Sequence, residues 1–576
     1  MNFAAGRIAL PLTPAPLALL VLAYLLPGLV GHDPWKAEDA IGIGIVHQML
    51  EHGRWIVPHL AGEPFLEDGP FHYWIAALTA KLFGLVLAPH DGARLASGVM
   101  MAAVMAFVHL AGRELYARTE GMSAVLALLG CLGLLVHAHE TLAEISMLAG
   151  QALAWYAIAL VPRKPHRAGW LLGAGLAVAV LSKGISAVIA PAAVVLALPL
   201  VSEAWRRREH LAALLPALLV PFGICGGWLA IAESRAPGLA LSWWQANAIQ
   251  FAVPRAEALG YWAKTLLWAT WPAWPLALWT LWEARRRTFE PGIRMLIAAV
   301  AASFAVLLVL DAPREVFALP LLLPLALLAG AGVPNLRRGA ANALASFGVM
   351  CAWFLGALMW LGWFAMMTGV PSRIAERFSK LEPGHVPQFS WTAFAVALAL
   401  TLAWLWLILK SERSVFRSVT LWAAGITLLW CLAMTLILPW IDYGKSYRPV
   451  AQALKKRIPA GTRCIESRGL GEAQRAVFDY HAGVVTQRLE RRAEGRCPLL
   501  LVQARQGEPD RMGPGWKLLW EGSRPRDRER FRLYQKTDYE MRGQEGKEGP
   551  LPLLSPSDSP EPEAVSVILK QPQKQS

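Results

Sequence analysis

Apolar runs of about 20 residues, the length an α-helix needs to cross a bilayer, recur along most of the chain between short polar breaks. Length and hydropathy give about 13 of them. They begin near Ile8, Arg94, Met122, Glu144, Gly169, Ile185, Leu211, Tyr261, Arg294, Val316, Ala343, Trp391 and Val419. The first, Ile8 to Val30, is longer than a signal-peptide core and lacks a small-x-small cleavage site, so it reads as a retained span. The segment FHYWIAALTAKLFGLVLA (71–88) differs. It starts polar and carries Lys81 in its middle, which predicts a helix lying in the interface plane. After Trp440 the apolar runs stop. Residues 444–540 mix charges with strand-like runs such as PLLLVQAR (498–505) and RFRLYQK (530–536), predicting a small α/β domain. Residues 541–576 are rich in Pro, Ser, Glu and Gln and predict a disordered tail.

Composition agrees with a polytopic α-helical membrane protein. Of 576 residues 55% are hydrophobic and only 17% charged, with mean hydropathy +0.40. The net charge of +14 sits in short loops rather than on one basic face, which argues against nucleic-acid binding. With the N-terminus in the cytoplasm, alternate loops contain Arg113 with Arg118, RKPHR (163–167), WRRRE (205–209), EARRR (283–287), LRR (336–338) and KSERSVFR (410–417). All are short and basic, as cytoplasmic loops should be. The other set holds 31–74, HAHETLAE (137–144), 234–260, DAPRE (311–315), 373–388 and everything after Trp440. This alternation works only if 71–88 does not cross. Cys464 and Cys497 are the only cysteines of the 444–540 region, and in an exported domain they predict a disulfide.

The first polar break, 31–74, gathers Asp33, Glu38, Asp39, Glu63, Glu67 and Asp68 against the membrane. Carboxylates there cost energy unless solvated or paired. On spacing alone, a functional site and a solvated loop stay equally open.

The stretch MLEHGRWIVPHLAGEPFLEDGPFHYWIAALTAKLFG closely resembles the first outer loop of the C-type polytopic glycosyltransferases. The subgroup is that of the bacterial lipid A aminoarabinose transferases and, more distantly, the protein O-mannosyltransferases. Aligned without a gap through Met49-Leu50, Gly53, Trp55, Val57-Pro58, Gly62, Glu67, Pro70 and Tyr73-Trp74, the family's acidic pair falls on Glu38-Asp39. RLAS (94–97), LAEISMLAG (142–150), LSKG (181–184) and REVFALPLLLPLALLAG (314–330) are consistent with it. There are departures. The pair is Glu-Asp rather than Asp-Glu, the family's second acid falls on Gly44, its Lys after Glu67 is Asp68, and its first Pro is Gly69.

The resemblance implies about 13 spans in residues 1–443 with a catalytic loop at 31–74, and an outward C-terminal domain at 444–540. It implies transfer of a hexose or pentose from a polyprenyl-phosphate donor to a lipid A, glycan or protein acceptor, with inversion, at the periplasmic face of a bacterial inner membrane. A carboxylate must take the acceptor hydroxyl's proton: Glu38 and Asp39 lead, with Asp33 in reserve. Cations must hold the leaving phosphate: Arg94, Lys183, Arg255 and Arg314. Glu67, Asp68, His72, Tyr73 and Glu144 are candidates for substrate contact. For single cations the competing reading is an interface anchor, and for Glu144 a helix N-terminal acid. No nucleotide-binding glycine motif and no metal-ligand spacing is present in the sequence, so no cofactor is required; a divalent ion on Glu38, Asp39 and Glu67 remains compatible. Two other classes compete: a lipid-linked saccharide flippase, which predicts internal repeats and mid-span charges, and an inactive envelope-assembly scaffold.

Overall fold

The computed structural model describes residue 8 and residues 13–537, except 202, 208–209, 211–212, 286–289, 463, 492–496 and 510–511. The tail expected at 541–576 lies outside the described residues.

Each expected span falls in or beside a helix. Among the described residues, eight helices are long and apolar enough to cross, or nine if the bent pair Arg118–Leu129 and Leu132–His139 counts as one. Fewer helices pass this test than the 13 spans expected, for local reasons. Pro14–Leu25 (α1) has only 12 residues, and Ser186–Val201 carries Pro191 and Pro199 inside it. The Tyr261 run breaks into Ala256–Ala269 and Ala273–Ala284 around Pro272, because proline lacks the amide that would continue the helix.

The helices that matter for function come early. Glu38–His52 (α2) follows the first apolar helix, and a two-stranded ribbon follows α2, His59–Leu60 (β1) with Glu63–Pro64 (β2). Phe71–Phe83 (α3) is 13 residues, about 20 Å, too short to cross. It buries His72, Tyr73, Ala76, Ala77 and Ala80 and leaves Leu78 and Leu82 exposed, as an interfacial helix does. Pro89–Leu115 (α4) spans about 40 Å. Arg94 sits near its first turn and Arg113 in its last, so the first loop and the Arg113–Arg118 loop lie at opposite ends. Glu114 beside Arg113 pairs with Arg163, 3.2 Å away, bringing a second basic loop to that far end.

Arg118–Leu129 (α5), Ala143–Leu160 (α6) and Pro165–Lys183 (α7) complete the first half. A side chain on Gly150 of α6 would come within 2.5 Å of the Gly175 carbonyl of α7, and one on Gly175 within 2.6 Å of the Gly150 carbonyl. Small residues let these helices touch. Their contact brings the start of α6, with Glu144, against the end of α7, with Lys183.

The C-terminal domain is a five-stranded sheet in the order β4-β3-β5-β7-β6. Its strands are Ile465–Arg468 (β3), Gln487–Arg488 (β4), Leu499–Arg505 (β5), Trp516–Gly522 (β6) and Glu529–Lys536 (β7). β3 runs parallel to β4 and β5, while β7 is antiparallel to β5 and β6. Helices Arg448–Lys455 and Glu472–Ala482 cover it around Phe478, Phe531 and Leu533. Cys464 and Cys497 are joined, with Cα atoms 5.4 Å apart.

Candidate active site

The domain docks on α2, and that contact explains one departure from the family pattern. A side chain at Gly44 would lie 2.7 Å from Cβ of Ala476 and 2.9 Å from Leu60, so no acid fits there. A side chain at Gly42 would likewise come within 1.8 Å of the Thr141 carbonyl oxygen. α2 is therefore wedged between 141 and the Glu472–Ala482 helix.

At its N-terminus the expected pair separates. Consecutive helix residues point about 100° apart. Asp39 turns inward and is buried. Its Oδ2 accepts from Arg94 Nη2 at 2.8 Å and its Oδ1 from the Thr141 amide at 2.9 Å, while Arg94 Nε reaches both oxygens at 3.2 Å. Burial alone would raise its carboxyl, but Arg94 holds it below the usual range. Arg94 is 0% exposed and also donates to the His32 and Asp33 carbonyls and to Asp91 Oδ1 at 3.0 Å. All five of its N–H donors are used. The two expected site residues are therefore engaged with each other and with the surrounding backbone. Together they are the pin that fixes the loop to α4.

Asp33, the reserve base, is likewise occupied. It pairs with Arg448 and accepts from Ser446 Oγ at 2.6 Å, contacts that hold its carboxyl low against the upward push of burial. Arg255, expected on phosphate, pairs with Asp311 at 3.2 Å on the surface and is 67% exposed.

Glu38 remains. Its side chain is 24% exposed, and its ion pair with Arg314 is a loose contact, 3.5 Å from Nη1. Burial beside Glu144 pushes its carboxyl up to about 7. Arg314 also reaches Glu67, 3.5 Å away. Below this open arginine lies a tighter group. Lys183 Nζ sits 2.5 Å from Asp68 and 3.0 Å from Glu144, and the Tyr73 hydroxyl donates to Asp68 at 2.5 Å. His72 bonds Ser146 at 2.9 Å, its Nε2 has no partner among the described residues, and burial lowers its pKa to about 4. Gly69 brings Asp68 here: its amide donates to the Ser182 carbonyl at 2.8 Å, and a side chain would meet the Leu181 carbonyl at 2.0 Å. Six expected residues thus form two ion-paired trios, Arg314 with Glu38 and Glu67 and Lys183 with Asp68 and Glu144, four carboxylates and two cations near enough to act on one another electrostatically.

One pair escaped the sequence reading. His137 Nδ1 bonds Glu140 Oε2 at 2.7 Å. The i,i+3 spacing in HAHE was its only signal. The acids grouped as metal ligands diverge, Asp39 facing Arg94 while Glu38 and Glu67 face Arg314. Among the described residues no group of three His, Cys, Asp or Glu is placed to hold a metal ion.

Residues 67–226 match the family described as dolichyl-phosphate-mannose-protein mannosyltransferase. The chain is 27% identical over 432 residues to the undecaprenyl phosphate-alpha-4-amino-4-deoxy-L-arabinose arabinosyl transferase of Pseudomonas savastanoi pv. phaseolicola, covering 73% of this chain and 76% of the relative. It is 28% identical over 473 residues to the corresponding transferase 1 of Pseudomonas fluorescens, covering 76% and 78%. Among solved structures, it resembles ArnT from Cupriavidus metallidurans bound to undecaprenyl phosphate, with TM-score 0.66, 18% identity, and coverage of 90% of this chain and 96% of that one. The apo form of that protein gives TM-score 0.63.

Proposed function

We propose that this chain, a multi-pass membrane protein with the fold of the C-type polytopic glycosyltransferases, transfers an amino sugar from a polyprenyl-phosphate donor to a cell-envelope acceptor. The observation that carries the reading is the loose fork of Arg314 between Glu38 and Glu67. A guanidinium held at 3.5 Å by two partly open carboxylates is poised to exchange them for the donor phosphate, which it can bind bidentately.

Transfer is a single displacement. The acceptor hydroxyl attacks the sugar's anomeric carbon as its proton passes to Glu38, and the bond to the phosphate oxygen breaks. The polyprenyl phosphate leaves against Arg314, and the anomeric centre inverts. A base works best with a pKa near the operating pH, and Glu38, at about 7, meets that condition. The cluster's excess of carboxylate also favours a cationic sugar, in keeping with the relatives' 4-amino-4-deoxy-L-arabinose donor. Lipid A of the outer leaflet is the proposed acceptor, with the first loop and the 444–540 domain on the periplasmic side of the inner membrane. No metal step is needed, because Arg and Lys can stabilise the leaving phosphate.

The test is transfer by the purified chain in nanodiscs, with undecaprenyl-phosphate aminoarabinose, a neutral hexose donor, and lipid A. A mass increase of one aminoarabinose on lipid A, absent with the hexose donor, supports the reading. Consumption of neither donor overturns it.

A further inference from the structure

We propose that the C-terminal domain belongs to the catalytic unit, with Arg448 and Arg475 as positioning residues that set α2 and therefore Glu38. This rests on Glu38 being the base.

The domain grips the polypeptide on both sides of Glu38. Upstream, Asp33 accepts from Arg448 through both carboxylate oxygens, and its own amide donates at 2.9 Å to Oδ1 of Asp442, just ahead of the domain. Lys36 pairs with Glu529 of β7. Within α2, Gln48 donates to Asp479 at 2.6 Å, and Gly44 abuts Ala476. Downstream, Glu63 takes a two-pronged contact from Arg475 at 3.1 Å and a third from Arg488 at 3.0 Å. Arg475 also donates to the Ala61 and Thr486 carbonyls, tying the ribbon to the sheet.

On its membrane side α2 has polar tethers only at residue 39, to Arg94 and Thr141; the rest of that face is apolar, with Ile43, Ile45, Val46 and Met49 in one cluster with Tyr73, Ala76, Ala77 and Ala80 of α3. Apolar packing is non-directional, so a helix held this way can still rock about its one polar tether. The contacts at 33, 48 and 63 remove the rocking, and the rocking is what would move Glu38 relative to Arg314. Misplacing a catalytic group by about 1 Å can cost on the order of 10²-fold in rate. None of the domain's gripping residues need touch the sugar for this to hold.

Arg448 is the cleaner probe, because its side chain is 48% exposed while that of Arg475 is buried. The experiment uses the full chain in nanodiscs. Turnover, donor KM and hydrogen exchange of the 38–52 amides are measured for wild type, Arg448→Gln, Arg448→Lys and Arg475→Gln, with Glu38→Gln alongside. Arg448→Gln is expected to lower kcat about tenfold or more, with donor KM within about twofold, and to speed exchange in α2. Arg448→Lys keeps the charge but loses the fork, so it should recover part of both. Unchanged α2 exchange or unchanged kcat in Arg448→Gln overturns the proposal. A Glu38→Gln enzyme with full turnover overturns the base assignment instead, and the exchange result still decides whether the domain holds α2.

Discussion

Arg94 closes on Asp39 from inside the fold, Nη2 to Oδ2 at 2.8 Å, with neither side chain more than 1% exposed. Breaking a buried pair by removing one partner leaves an uncompensated charge and costs about 3–5 kcal/mol. Arg94→Ala and Asp39→Asn are therefore expected to lower thermal stability and yield in detergent together with activity. Differential scanning fluorimetry checks this. A stable Arg94→Ala protein with weakened donor binding alone would return Arg94 to the phosphate.

Arg314 and Arg255 should separate cleanly. A hydrogen bond to a charged group is worth about 1.5–3 kcal/mol, so Arg314→Gln should raise donor KM by about 10- to 100-fold. Arg255→Gln, which loses only a surface pair, should leave it unchanged. Steady-state kinetics at fixed ionic strength test both. Equal effects would mean that Arg314 acts only as part of the general positive field.

The division between what the chain displays linearly and what it hides follows from the physics. Spans declare themselves through long apolar runs, and α3 through Lys81 in its middle. Cys464 and Cys497 stood out as the only cysteines after the last span. The proposed base did not declare itself, because Glu38 and Asp39 are neighbours of the same charge and only packing decides which one meets Arg94. Arg94 and Arg314 look alike as cations at the edges of apolar runs, yet one is enclosed and the other half open. Arg448 lies 415 residues from Asp33, beyond the reach of any local pattern. Gly44 and Gly69 look like lost functional residues until the neighbouring Ala476 and Leu181 show that no side chain fits.

The pH profile carries its own signature. Glu38 must be deprotonated to accept a proton, and burial with Glu144 raises its carboxyl to about 7. kcat/KM should therefore rise with pH to a plateau above about 7 and fall as Glu38 becomes protonated below it. An acid limb near 4 to 5, the ordinary carboxylate range, would point to a solvated base elsewhere.

The most direct test of the account is sugar transfer by Glu38→Gln beside Asp33→Asn, both purified in nanodiscs with donor binding and melting temperature measured in parallel. Glu38→Gln keeps the shape and removes the base, so turnover should drop about 10²- to 10⁴-fold, with donor affinity and melting close to wild type and the acid limb of the pH profile gone. Asp33→Asn should retain more activity, since Asp33 acts only through Arg448 and Ser446. A Glu38→Gln enzyme that turns over at the wild-type rate would contradict the assignment of the first loop as the catalytic centre.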